Sequence, residues 1–205
     1  MLIRIAKCFV IPFLFLIISF PSTAKEYKLD KDYKIVSEQK SSNPEIREFF
    51  SFYCSHCYSM RDLFKKLAIK FKDTAKFVHN PVGLIGGEIG VESQKGFVVA
   101  QNLGLEDEYS KRLFEKVHVK EDIPKDHEYF VKLFEEMGIT SDKVESDYNS
   151  FVTLGRVAQF DKLISDYKIE AVPEIVINGK YLIISDDIET VEDYENLIEY
   201  LLKQP

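Results

Sequence analysis

The chain is short of cysteine, short of positive charge, and lacks an apolar run long enough to cross a membrane comfortably. Its 27 Lys and Arg stand against 34 Asp and Glu, leaving a net charge of −7. The basic residues form no stripe, so a nucleic-acid partner has no electrostatic support. No internal repeat or low-complexity segment appears, and nothing points to disorder. A hydrophobic share of 45% with 30% charged residues is ordinary for a soluble globular protein. The length of 205 residues suits one good core, or one domain carrying a large insertion.

The first two dozen residues differ from the rest. MLIRIAK carries Arg4 and Lys7, the run from Cys8 to Phe20 is apolar except for Pro12 and Ser19, and Ser22-Thr23-Ala24 supplies small residues at a cleavage position. These are the three parts of a secretory signal peptide. The apolar run falls short of the roughly 20 residues of a membrane span. Residues 1–24 are therefore expected to be a cleaved leader, the alternative being an uncleaved N-terminal membrane anchor. Cleavage would remove Arg4 and Lys7, shifting the net charge from −7 to −9, and would also remove Cys8.

Only Cys54 and Cys57 then remain, in the stretch FYCSHCY. Exported proteins live where disulfides persist, and a stapled secreted domain spreads its cysteines along the chain. A single C-x-x-C leaves three readings: a staple, half of a metal site, or a redox pair. Structural zinc needs four ligands, usually as two pairs. There is no second cysteine pair, and His79, His118 and His127 are scattered without ligand spacing and read as ordinary. No metal is expected.

Around the cysteines the hydrophobic period changes. Residues 45–53, EIREFFSFY, read as a buried strand. Met60, Leu63, Phe64, Leu67 and Phe71 then fall on one helical face. The pair thus sits at a strand-to-helix junction, in the first turn of the helix. Residues 75–79 read as a second strand, and NPVGLIGGEIG breaks the pattern. From about Glu92 to Tyr167 the chain reads as almost wholly helical. Phe130, Leu133, Phe134 and Met137 make one stripe. Val144, Tyr148, Phe151 and Val152 make another, capped by Thr140 or Ser141, and these aromatics are expected in the core. In EIVINGKYLII, Asn178-Gly179 marks a hairpin, and a helix from Thr190 closes the chain. This order predicts an α/β thioredoxin-like fold with an inserted α-helical domain. Its first part covers 25–82, the helical insertion 83–161 and the second part 162–205.

In such a helix turn, residues three apart lie about 5–6 Å apart, within reach of a disulfide. A loop this short adds little unfolded-state entropy, so the bond suits a switch better than a staple. Cys54 comes first, where free backbone N–H groups and the helix dipole favour a thiolate. Cys57 lies one turn deeper and is expected to be shielded. His56 can tune the pair by charge or hydrogen bonding; otherwise it is an exposed helix histidine. A proline preceding a strand in a C-x-x-C protein of this layout is expected to be cis. Val172-Pro173 would then turn the Val172 backbone toward the cysteines, where it could hydrogen-bond an extended peptide. Glu48 shares a strand face with Phe50, Phe52 and Cys54. It is either a buried carboxylate that moves protons for Cys57 or an edge carboxylate in solvent.

The stretches EFFSFYCSHC, GGEIG, YNSFV with VAQF, and VPEIVINGKY resemble the DsbA family of bacterial periplasmic thiol:disulfide oxidoreductases. They span most of the chain in the family's order. The resemblance implies that Cys54 is the nucleophile, Cys57 the buried cysteine and His56 the redox-tuning histidine. It implies that Pro173 is the cis-proline with Val172 before it, that Glu48 is a buried acid, and that Lys76 is its basic companion. It further implies a periplasmic protein without cofactor beyond its redox-active disulfide. That protein would oxidise reduced, unfolded exported proteins and be recharged by a membrane quinone-linked reoxidase of the DsbB type. Ser55 departs from the family's common Pro-His dipeptide; it restores a backbone N–H and loosens the turn. A reductase or isomerase on the same fold, or a non-catalytic binding module, are the rival readings.

Overall fold

In a computed structural model of the chain, residues 25–186, 188 and 190–205 are described. The leader read at 1–24, with Cys8, lies outside them. Five strands form one sheet: β1 (Tyr33–Ile35), β2 (Glu45–Phe50), β3 (Lys76–Pro81), β4 (Glu174–Ile177) and β5 (Tyr181–Ile183), in the order β1-β5-β4-β2-β3. β2 runs parallel to β3 and antiparallel to β4. The parallel pair is joined by helix α1 (Ser55–Phe71), which buries Cys57, Phe64, Leu67 and Phe71. β4 and β5 form the hairpin, with Asn178 at φ 53° and Gly179 at φ 63°, the two left-handed residues of the tight turn that matches strand twist. Helix α7 (Val191–Lys203) closes the chain behind a reciprocal cap between Thr190 and Asp193.

Between β3 and β4 come five helices: α2 (Glu88–Leu103), α3 (Glu106–His118), α4 (His127–Glu135), α5 (Ser141–Tyr148) and α6 (Phe151–Asp166). This is the thioredoxin-like α/β fold with a helical insertion. Three apolar clusters support it. Ile46, Phe64, Leu67, Ile177, Ile198 and Leu201 join α1, α7 and one sheet face. Phe49, Val176 and Leu182 meet Leu163, Ile164 and Tyr167 from the end of α6. The largest cluster gathers Phe97, Tyr109, Phe114, Phe130, Phe134 and Phe160 from the insertion around Phe50, Phe52 and Cys57. The second cysteine is therefore packed by both parts of the fold.

Three local readings are corrected. The strand read to Tyr53 stops at Phe50. Ser51–Cys54 turns instead, with Cys54 N–H donating to the Ser51 carbonyl (3.2 Å) and Tyr53 N–H to Ser51 Oγ (3.2 Å). The stripe Val144, Tyr148, Phe151, Val152 does not share one face. α5 ends at Tyr148, and Ser150 opens a new helix by accepting the Thr153 N–H at 3.1 Å. Phe151 and Val152 are left 96% and 65% exposed, outside the core. Thr140 occupies the cap position of α5 without a side-chain cap bond. β1, which pairs with β5 through Tyr33 and Ile183, carries no periodic signal because it is only three residues long.

Candidate functional site

Cys54 is the residue before α1, with extended backbone (φ −94°, ψ 115°), and its sulfur accepts the Cys57 N–H at 3.2 Å. A sulfur thus fills the place of a capping oxygen at the helix start. On its other side the Cys54 thiol donates to the Val172 carbonyl at 3.5 Å, and the Val172–Pro173 bond is cis. The strand-to-helix turn and the loop before β4 are distant in sequence and meet at one sulfur. Both cysteines are unbonded thiols.

Cys57 has no exposed surface. Burial pushes its thiol far above the ordinary range. The hydrogen bond with Cys54 and the nearby Cys54 and Glu48 charges push the same way, and a backbone contact with Ser51 opposes them. Ser55 and His56 are both exposed at the start of α1. Among the described residues the His56 ring makes no hydrogen bond; its carbonyl accepts from Ser59 Oγ at 2.8 Å. His56 can therefore act on Cys54 only by charge through solvent.

Glu48 lies inside, 5% exposed. Its Oε2 pairs with His79 Nδ1 at 2.8 Å. Burial alone would lower the His79 pKa, but its bond to Glu48 and the charges of Glu48, Glu106 and Asp107 outweigh that and raise it. The parallel register sets Glu48 opposite His79 and Glu45 opposite Lys76. Lys76 is exposed at the far end of β3, so Lys76 is not the companion of Glu48: His79 is. Reading His79 as ordinary missed this, since nothing in the linear sequence relates two residues 31 apart until strand register does.

His118, also read as ordinary, ends α3. Its Nε2 bonds the Phe52 carbonyl at 2.8 Å, and its ring stacks on Tyr58 at 5.0 Å and 14°. It thus ties the insertion to the turn that carries Cys54. The NPVGLIGGEIG segment forms a tight turn beside Tyr53. A Cβ on Gly90 would lie 2.1 Å from the Gly83 carbonyl oxygen and 2.4 Å from that of Ile85. The turn leaves Leu84 87% and Ile85 38% exposed.

Comparison with known proteins agrees with this fold. A family model described as DSBA-like thioredoxin domain matches residues 45–195. The chain is 30% identical to the thiol:disulfide interchange protein DsbA of Dickeya dadantii over 92% of this chain and 95% of that one. It is 29% identical to the Escherichia coli protein of the same name, over 91% and 93%. Among solved structures, DsbA from Klebsiella pneumoniae superposes with a TM-score of 0.78 at 30% identity, covering 88% of this chain and all of that one. A Proteus mirabilis DsbA variant, solved with a non-covalently bound peptide PWATCDS, gives 0.77 at 28% identity, covering 88% and 100%.

Proposed function

As this chain belongs to the DSBA-like thioredoxin domain family and is a thiol:disulfide oxidoreductase, we propose that it donates a Cys54–Cys57 disulfide to newly exported proteins. The observation that carries this reading is the inequality of the two sulfurs. Cys54 sits at a helix start with a backbone N–H aimed at it, and Cys57 is fully buried beneath it. A substrate thiolate attacks Cys54, and Cys57 leaves with the electron pair of the broken S–S bond. A second substrate thiolate attacks its neighbour's sulfur in the mixed disulfide, and Cys54 departs as a thiolate. The N–H of Cys57 that stabilises this departing charge also makes the disulfide the stronger oxidant.

The cis Val172–Pro173 unit is the rest for the substrate chain. Its carbonyl lies against Cys54, so a peptide whose own cysteine has joined Cys54 runs past main-chain groups that can pair with it. The Proteus mirabilis protein's capture of a cysteine-containing peptide is consistent with this. His56 and Ser55, exposed beside Cys54, tune its charge and access, and Glu48 handles the proton of Cys57. The thioredoxin-like parts are 25–82 and 162–205, with 83–161 as the insertion. The reaction runs on the cysteine pair without a bound cofactor. The site of action is the periplasm, and recharging falls to a membrane quinone-linked reoxidase of the DsbB type. No helix among the described residues is long and apolar enough to cross a membrane.

Incubating the oxidised protein with a reduced, unfolded client tests this: wild type forms client disulfides and Cys54→Ser forms none. Undiminished oxidation by Cys54→Ser would sink the proposal. A redox potential as reducing as thioredoxin's, about −270 mV, would instead favour the reductase reading.

A further inference from the structure

The turn from Ser51 to Cys54 sets where the Cys54 sulfur stands, because α1 begins on the next residue. Its closing bond runs from the Cys54 N–H to the Ser51 carbonyl at 3.2 Å. The central peptide, between Phe52 and Tyr53, then has both of its polar groups unused by the turn. Both are taken elsewhere. The Tyr53 N–H donates to Ser51 Oγ at 3.2 Å. The Phe52 carbonyl, on a buried residue, accepts from His118 Nε2 at 2.8 Å. A carbonyl can only accept, so Nε2 carries the proton, and both imidazole and imidazolium can make this bond. Stacking holds the ring in place, with Tyr58 at 5.0 Å and 14° and Phe114 at 5.9 Å and 29°. One side chain at the end of α3 thus touches both flanks of the cysteine pair, Phe52 before Cys54 and Tyr58 after Cys57.

We propose that His118 is a positioning residue of the redox pair: its Nε2–H pins the central peptide of the Ser51–Cys54 turn, favours the reduced form, and so makes the Cys54–Cys57 disulfide a stronger oxidant. This rests on the redox roles assigned above to Cys54 and Cys57. The pin weighs unequally on the two forms. In the disulfide, the S–S bond to Cys57 holds Cys54 in place covalently. In the dithiol, the sulfur keeps its place between the Cys57 N–H at 3.2 Å and the Val172 carbonyl at 3.5 Å only while the turn holds its backbone there. Hydrogen bonds weaken steeply as they bend, so a turn that drifts takes the sulfur off the line of the N–H that stabilises its thiolate. Removing the donor also strands the buried Phe52 carbonyl, which is costly and draws the peptide plane toward another partner. The two histidines near the pair therefore act differently. His56 acts by charge through solvent, whereas His118 acts through the backbone, in either charge state.

The test equilibrates the full chain with mixtures of reduced and oxidised glutathione. Two glutathione thiols give up two electrons and two protons to the pair, leaving glutathione disulfide and the Cys54–Cys57 dithiol. His118→Phe keeps a ring for Tyr58 and removes the donor; His118→Gln loses the ring and keeps an N–H donor. With one hydrogen bond at stake, His118→Phe is expected to oxidise glutathione with an equilibrium constant about threefold to tenfold smaller. Its Cys54 thiolate is expected to titrate at higher pH, read by thiolate absorbance. His118→Gln is expected to stay within about twofold of wild type. His118→Phe with the wild-type constant and titration would overturn the proposal. So would His118→Gln displaced as far as His118→Phe, which would assign the effect to the ring. Thermal scans decide the same point if His118→Phe folds weakly: a larger melting-temperature loss in the reduced form than in the oxidised form upholds the pin, and equal losses overturn it. These equilibria involve no client, so a wild type that oxidises no client would strike the function proposed above and not the pin.

Discussion

Two sulfurs three positions apart are held in opposite states. Cys54 meets an N–H and a carbonyl at the surface, and Cys57 is sealed among Phe50, Phe52 and Phe114. Cys57→Ser should therefore stall exchange at Cys54, so mixed disulfides with clients accumulate on non-reducing gels; their absence would remove Cys57 as the resolving thiol. His56 stands exposed without a bond to Cys54, and screening limits what its charge can do. Its replacement by alanine should make the pair less oxidising by no more than about 20 mV, as measured against a glutathione buffer. His79 adds a pH dependence. Because its folded pKa is raised, its contribution to stability is fully present below its ordinary value of about 6.5 and fades as pH rises through the folded value. The melting-temperature gap between wild type and His79→Gln should accordingly shrink from mildly acidic to alkaline pH.

Among the elements, α6 shows how one cap redirects a chain. Ser150 Oγ accepts the Thr153 N–H and is also linked to Thr153 Oγ1 at 3.1 Å. Thr153 Oγ1 in turn donates to the Asp147 carbonyl at 2.7 Å. This knot ends α5, starts α6, and turns Phe151 and Val152 outward. Loss of an N-cap costs about 1 kcal/mol. Ser150→Ala should lower the melting temperature by about 2–4 °C for a domain of this size and leave the redox potential unchanged, since the bonds of this knot stay within the α5–α6 junction. A shift in the potential would show that the cap reaches the site.

Across the whole molecule, the insertion supplies most of the packing around Cys57, and that packing links redox state to stability. Burial raises the Cys57 pKa, so in the reduced protein this thiol costs no stability below its unfolded value of about 8.5 and progressively more as pH rises above it. The disulfide form has no such group to titrate. Paired thermal scans should show the reduced protein losing stability relative to the oxidised one as pH is raised past about 8.5; parallel curves would mean that Cys57 is not held as a thiol by burial.

The sequence alone determined a good deal of this protein. The change of period at FYCSHCY placed the cysteine pair at a strand-to-helix junction, Asn178-Gly179 marked the hairpin, and the helical stretch between the β-rich parts marked the insertion. These are signals carried by near neighbours in the chain. What it could not determine lay in register and in breaks too short for periodicity to sense. Lys76 and His79 sit in the same strand, and only the parallel pairing of β2 with β3 sets Glu48 against His79. Phe151 continues an apolar stripe in the sequence, and only the break at Asn149-Ser150 puts it in solvent. His118 reaches the Phe52 carbonyl across 66 residues. Short-range periodicity is written in the order of residues. The partner of a buried carboxylate is decided by which backbones come to lie side by side, a choice made by the packing of the whole core.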